Sequence, residues 1–185
     1  ESVNDPLKEL GNTTDRLYAD AVEKSIQALI DSGVTMVGDI TTSGASIEPL
    51  LKSGLRGVVY IEYMGTDPAQ ARLKLNRVAE MVEKHRHHIQ RGMHIGISFH
   101  TPYSVHPELW KLGLEYVKEH NLPVAIHVAE SSAEQEFMTK GTGAIADRYY
   151  TAMPKMESPK KSSVQFLADI GALDLKPLLV HCVHV

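Results

Sequence analysis

Apolar and polar positions alternate along this chain in two distinct patterns. Short, nearly unbroken apolar runs rich in β-branched residues occur at 34–40, 57–63, 93–99, 123–129 and 177–183. Their continuity predicts strands buried on both faces. Between them the apolar residues take helical spacing. Leu17, Ala21, Ile26, Leu29 and Ile30 precede Ser32-Gly33, and Val78, Met81 and Val82 sit in a polar helix. Leu109, Leu112, Tyr116 and Val117 precede Asn121-Leu122-Pro123, where the proline helps stop the helix. Val164, Phe166, Leu167 and Ile170 form a last short helix ending at Gly171, and 139–161 reads as a helix followed by the longest loop.

Strands and helices in strict alternation predict a parallel α/β sheet. No linker or repeat divides the chain, so 1–185 is read as one domain. Five strands fit either an open doubly wound sheet or part of a closed (β/α)8 barrel, which usually takes about 250 residues. The chain opens on a helix and closes on a strand with no helix to cover it, so the expectation is a partial TIM barrel, a piece of a longer unit.

Composition removes several classes. With 43% hydrophobic and 23% charged residues the chain reads as globular, and a net charge of -4 offers no basic field for nucleic acid. No apolar run approaches the roughly 20 residues that span a bilayer. The polar start ESVNDPLKELGN is unlike a signal peptide. The single cysteine, Cys182, excludes an internal disulfide and fits a reducing compartment, so the expected location is the cytoplasm. Strand alternation would set Cys182 opposite His181 as a small buried residue rather than a nucleophile. The unusual count is histidine, ten in 185 residues.

In parallel α/β folds functional groups gather at the carboxyl ends of the strands. His100 follows the third apolar run, His127 lies near the end of the fourth with Glu130 three residues on, and His181 lies in the fifth. An imidazole inside an apolar run costs desolvation unless it is paired or binds a metal. Taken singly, His127 or His181 could be a core histidine bonded to a carbonyl, Glu130 a helix N-terminal carboxylate, and His100 a turn residue before Pro102. Three on consecutive strands point to a shared site, and imidazole with a nearby carboxylate is the usual apparatus for activating water at a divalent metal. Glu62 and Tyr63 end the second run and face either a substrate or the packing. Asp39 is expected to hydrogen-bond in its loop.

These motifs carry a family resemblance. Ser98-Phe99-His100-Thr101-Pro102-Tyr103-Ser104, Ala125-Ile126-His127-Val128-Ala129-Glu130-Ser131 and Leu179-Val180-His181-Cys182-Val183-His184 resemble the amidohydrolase superfamily, in its cytosine deaminase/chlorohydrolase branch. Glu134-Gln135-Glu136-Phe137, Gly141-Thr142-Gly143 and Ser162-Ser163-Val164-Gln165-Phe166-Leu167 are similar to its aminofutalosine deaminase-like members. The resemblance implies a barrel in which His127 is a metal ligand on strand five and Glu130 shuttles the proton from the activated water to the leaving amine. It implies that His181, on strand six, contacts that water or the tetrahedral intermediate, and that His100, on strand four, contacts the substrate. One divalent metal is implied, zinc or else iron, with a small-molecule substrate, no nucleic-acid or membrane partner, and self-association into a homo-oligomer as a further expectation.

The chain departs from that pattern in three places, the first being the family's small β-sandwich, which is not expected in this stretch. The family's His-x-His pair on strand one and its Asp on the last strand have no counterpart. His85-Arg86-His87 has the spacing but sits in a polar helix end, and is rejected. What remains corresponds to barrel strands two to six, and one secure ligand cannot hold zinc tightly, so this stretch alone is expected to be inactive. No lysine stands on the strand before His100, which favours the one-metal deaminase branch over two-metal relatives. The implied function is hydrolytic deamination of an amino-substituted heterocycle. The alternatives are dechlorination or amide hydrolysis on the same site, or an inactive barrel piece that only associates with a partner. An open-sheet nucleotide binder is disfavoured, because no glycine-rich phosphate loop follows the first strand.

Overall fold

The computed structural model describes the backbone of residues 6–86, 92–152 and 156–185. The order is α1 (Pro6–Asp31), β1 (Met36–Thr41), α2 (Ile47–Lys52), β2 (Arg56–Tyr63), α3 (Ala71–Arg86), β3 (Met93–Phe99) and α4 (Pro107–His120), then β4 (Val124–Val128), α5 (Ser132–Lys140), α6 (Ala144–Ala152), α7 (Ser163–Asp169) and β5 (Leu178–His181). Each strand lies within two residues of an apolar run. Sequence spacing missed α2, six residues with a proline inside, and α5, which the capping serine Ser131 opens and left-handed Gly141 closes. The stretch 139–161 proves to be the end of α5, then α6, then irregular backbone, with Met153-Pro154-Lys155 outside the described residues.

All strands pair in parallel, and their spatial order β1-β2-β3-β4-β5 is the chain order. A doubly wound sheet reverses direction at a switch point, and this one does not. It is a half-barrel of the (β/α)8 type, as expected. Alternate residues of the central strands, Val59 and Ile61, Ile95 and Ile97, and Val124 and Ile126, are buried against Leu75, Val78, Leu114 and Val117 of α3 and α4. Phe99, at the end of β3, stacks on Trp110 with ring centroids 4.5 Å apart.

The opposite face is concave, and Tyr60 fills it. A Cβ at Gly96 would lie 2.8 Å from Tyr60 Cδ1, and one at Gly38 would lie 3.7 Å from Tyr60 Cε2 and 3.6 Å from Leu178 Cδ2. Only Gly96 is tight: its Cβ would also lie 2.5 Å from the Pro123 carbonyl oxygen, whereas the Gly38 distances are ordinary contacts. The expectation of burial on both faces holds for the middle strands but not the outer ones. Met36 is 62% and Leu178 50% exposed, because β1 and β5 each have one strand neighbour among the described residues.

Candidate functional site

The carboxyl ends of β2 to β5 bring Glu62, His100, His127, Glu130 and His181 together. His100 extends β3 by one residue. Its N–H donates to the Tyr63 carbonyl at 3.2 Å, and its own carbonyl accepts the His127 N–H at 3.1 Å. That same carbonyl lies 2.9 Å from His127 Nδ1. A carbonyl oxygen only accepts, so Nδ1 carries the ring proton and Nε2 presents its lone pair. Holding one ring nitrogen by a backbone carbonyl is how a protein orients an imidazole for a metal.

His100 is set the other way. Ser104 Oγ accepts from the Thr101 N–H at 3.2 Å and from the Thr101 hydroxyl at 2.6 Å. Of the two acceptors within reach of its proton, the Thr101 carbonyl at 3.4 Å and His100 Nδ1 at 2.6 Å, the ring nitrogen is the nearer and takes it. His100 thus presents an Nε2–H. Burial lowers the His100 pKa, opposed by the Glu62 carboxylate and reinforced by His127, which keeps the ring neutral at neutral pH. Glu62 Oε1 stands 4.0 Å from that Nε2, its side chain only 12% exposed, while its Oε2 accepts the Thr42 hydroxyl at 2.7 Å. Tyr63 is core, its hydroxyl donating to the Ala71 carbonyl. Asp39 lies within β1 rather than in a loop, and accepts the Ser46 hydroxyl at 2.6 Å.

The His127 ring lies 5.6 Å from that of His100 and stacks against that of His181 at 5.5 Å and 29°. His181 Nε2 is 3.6 Å from Glu130 Oε1. Strand register pairs His181 with Val128 rather than with His127, but the chain turns there: φ is +74° at His181 and +54° at Cys182. Ala129, at the end of β4, is also left-handed at +54°. Non-glycine residues rarely hold this conformation, and they gather where a site imposes it. Cys182, just past the end of β5 and half-buried rather than buried as expected, packs against the core.

Glu134 holds the turn after β4. Its carboxylate is fully buried and accepts the N–H groups of Ala129 and Glu130 at 2.8 and 2.9 Å, together with the Ser163 hydroxyl. Sequence reasoning saw Glu134 only inside a family motif; a glutamate three residues after a serine reads as an ordinary capping box. Beside His100 a cavity of about 710 Å³ opens, with Met64, Tyr103 and Ile145 in its walls and Lys74 and Arg148 among its polar lining. That is the size of a small-molecule site.

The fit to a metal is partial. His127 Nε2 is free to ligate, but among the described residues no group of three or more His, Cys, Asp or Glu side chains stands ready to hold an ion. His85 lies buried in α3, off the sheet, and His87 falls outside the described residues. No helix of the described residues is long and apolar enough to cross a membrane.

Residues 2–185 match the model of the amidohydrolase family. The aminodeoxyfutalosine deaminase of a Nitratiruptor species is 28% identical over 162 residues, covering 88% of this chain and 39% of that protein. Among solved structures, Helicobacter pylori aminofutalosine deaminase superposes with a TM-score of 0.70 at 20% identity, over 82% of this chain and 38% of that one. An adenosine deaminase from Xanthomonas campestris with bound zinc gives 0.69 at 16% identity, over 90% of this chain and 35% of that one. The chain therefore spans about two fifths of the length of the relatives it matches.

Proposed function

The chain belongs to the amidohydrolase family, and we propose that the protein it forms hydrolyses a C–N bond, removing the amino group of a purine-like heterocycle with the aid of a divalent metal. The observation that carries this reading is the approach of Glu130 Oε1 to within 3.6 Å of His181 Nε2, beside a His127 ring whose Nε2 lone pair is left open. Relatives named aminodeoxyfutalosine deaminase and adenosine deaminase support the reaction class, and a zinc-bound structural neighbour supports a divalent metal.

His127 would hold the metal through Nε2, with further ligands from outside the described residues. Bound there, a divalent ion supplies the acidity that lets water ionise near neutral pH. Glu130 accepts the proton of the attacking water as its oxygen adds to the amino-bearing ring carbon. His181 bonds to that oxygen and steadies the tetrahedral carbon. Glu130 then passes its proton to the amine, the remaining hydroxyl proton moves to the ring nitrogen beside that carbon, the C–N bond breaks, and ammonia leaves with the carbonyl product formed. His100, as an Nε2–H donor, binds an acceptor on the substrate.

The test is ammonia release from a panel of 6-aminopurine nucleosides by a metal-loaded protein of the relatives' full length that contains these residues, and by its Glu130→Gln variant. Loss of general acid–base action predicts a fall in kcat of about 10²–10⁴-fold with an unchanged thermal midpoint. Ammonia release by the variant within a few-fold of the unaltered protein would sink the reading.

A further inference from the structure

We propose that Glu134 is a positioning residue for the reaction: it clamps the peptide between Ala129 and Glu130 in a left-handed turn and so sets Glu130 against His181. The proposal rests on the deaminase reading for its consequence, but the geometry stands by itself. The Ala129–Glu130 peptide is gripped at both ends. Its N–H donates to Glu134 Oε2 at 2.9 Å, and its carbonyl accepts the N–H groups of Val183 and His184 at 2.9 and 2.8 Å. The preceding peptide donates the Ala129 N–H to Glu134 Oε1 at 2.8 Å.

A simple capping box would do less. Ser131 caps α5 by accepting the Glu134 N–H, and the glutamate of such a box ordinarily returns to the N–H of the cap residue itself. Here it reaches one and two residues further back and also takes the Ser163 hydroxyl from α7. Four elements thus meet on one buried carboxylate: the end of β4, the start of α5, the start of α7 and, through the shared peptide, the tail of β5. The tail is the segment that His181 and Cys182 turn with left-handed backbone. Alanine pays a steric penalty for φ of +54° that glycine does not. Something must hold Ala129 there: the two N–H bonds to Glu134 do so on one side and the Val183 and His184 N–H groups on its carbonyl do so on the other.

Both oxygens of Glu134 face donors, so Glu134→Gln turns an amide NH2 toward at least one N–H. Hydrogen exchange at the Ala129 and Glu130 amides is expected to quicken about tenfold or more, and a crystal structure of the variant to show the Glu130–His181 separation widened. Removing a buried group that orients a site residue costs about 10- to 100-fold in activity, here expected in kcat more than in KM. Ala129→Gly is the discriminating partner. Placed on Glu134→Gln it should recover about fivefold, since glycine takes the left-handed turn without the clamp. Ser163→Ala, which removes one of three donors and is milder on folding, should show the same exchange change at smaller amplitude.

Unaltered exchange at both amides, activity within twofold, or no recovery in the double variant would overturn the proposal. A protein that releases no ammonia from any substrate would instead sink the deaminase reading, and the clamp would then be decided by exchange and spacing alone.

Discussion

His100 and His127 end neighbouring strands, their rings 5.6 Å apart, yet they offer opposite chemistry. At the end of β3 a hydroxyl pair holds the imidazole, and Ser104 gives its proton to Nδ1, leaving an N–H facing the cavity. At the end of β4 a backbone carbonyl holds the imidazole and takes the Nδ1 proton, leaving a lone pair. The carbonyl belongs to His100. One residue therefore fixes its own ring through its side-chain partner and its neighbour's ring through its backbone. What separates a ring that offers an N–H from one that offers a lone pair here is the group behind each ring and not the ring itself.

The sharpest way to break that contrast is His127→Gln. It leaves the fold and the His100 network in place but removes the open nitrogen, so metal content by elemental analysis should fall to background and activity by about 10³-fold or more. If metal is retained, the assignment of His127 is wrong. His100→Ala comes next. Metal content should stay unchanged while KM rises, since a lost hydrogen bond to substrate is worth about 0.5–1.5 kcal/mol, or up to about tenfold; a loss of metal would instead merge the two histidines into one function. Ser104→Ala is gentler. It removes the proton that fixes the tautomer of His100, and 15N chemical shifts of that ring should report a mixture of forms, with activity down about two- to fivefold. Ser98→Ala should cost least. The Ser98 hydroxyl is buried on β3 with no hydrogen-bond partner among the described residues, so removing it should leave stability, read from the thermal midpoint, unchanged or raised by up to about 1 kcal/mol. A drop of that size would mean the hydroxyl has a partner, such as a buried water.

The parts of this site that sequence made legible were those that break a pattern. His127 stands out because imidazole interrupts Val-Ala-Ile-His-Val-Ala, and the strand around it is legible for the same reason. Glu62 offered no such contrast. A glutamate at a strand end is common, and its nearness to His100 depends on the β2–β3 register, which pairs Glu62 with Ser98. Glu134 was hidden more deeply, since its partners lie at 129, 130 and 163 and only the folded turn brings them to one carboxylate. The tautomers were beyond reach in principle, because a ring proton is placed by hydrogen-bond accounting in three dimensions. Helix α2 was missed because six residues give too little periodicity to read.

Tyr60 on the concave face has a bearing on how this sequence can drift. Its ring occupies the space that Gly38 and Gly96 leave open from the strands on either side, so the three positions form one steric unit shared by β1, β2 and β3. A side chain gained at Gly96 would meet the Pro123 carbonyl oxygen at 2.5 Å whatever stands at 60, whereas a smaller residue at 60 leaves a void that a larger one at 38 could refill. Among descendants of this chain, positions 38 and 60 are expected to change together while Gly96 stays glycine, a pair separated by more than twenty residues in sequence but touching in the half-barrel.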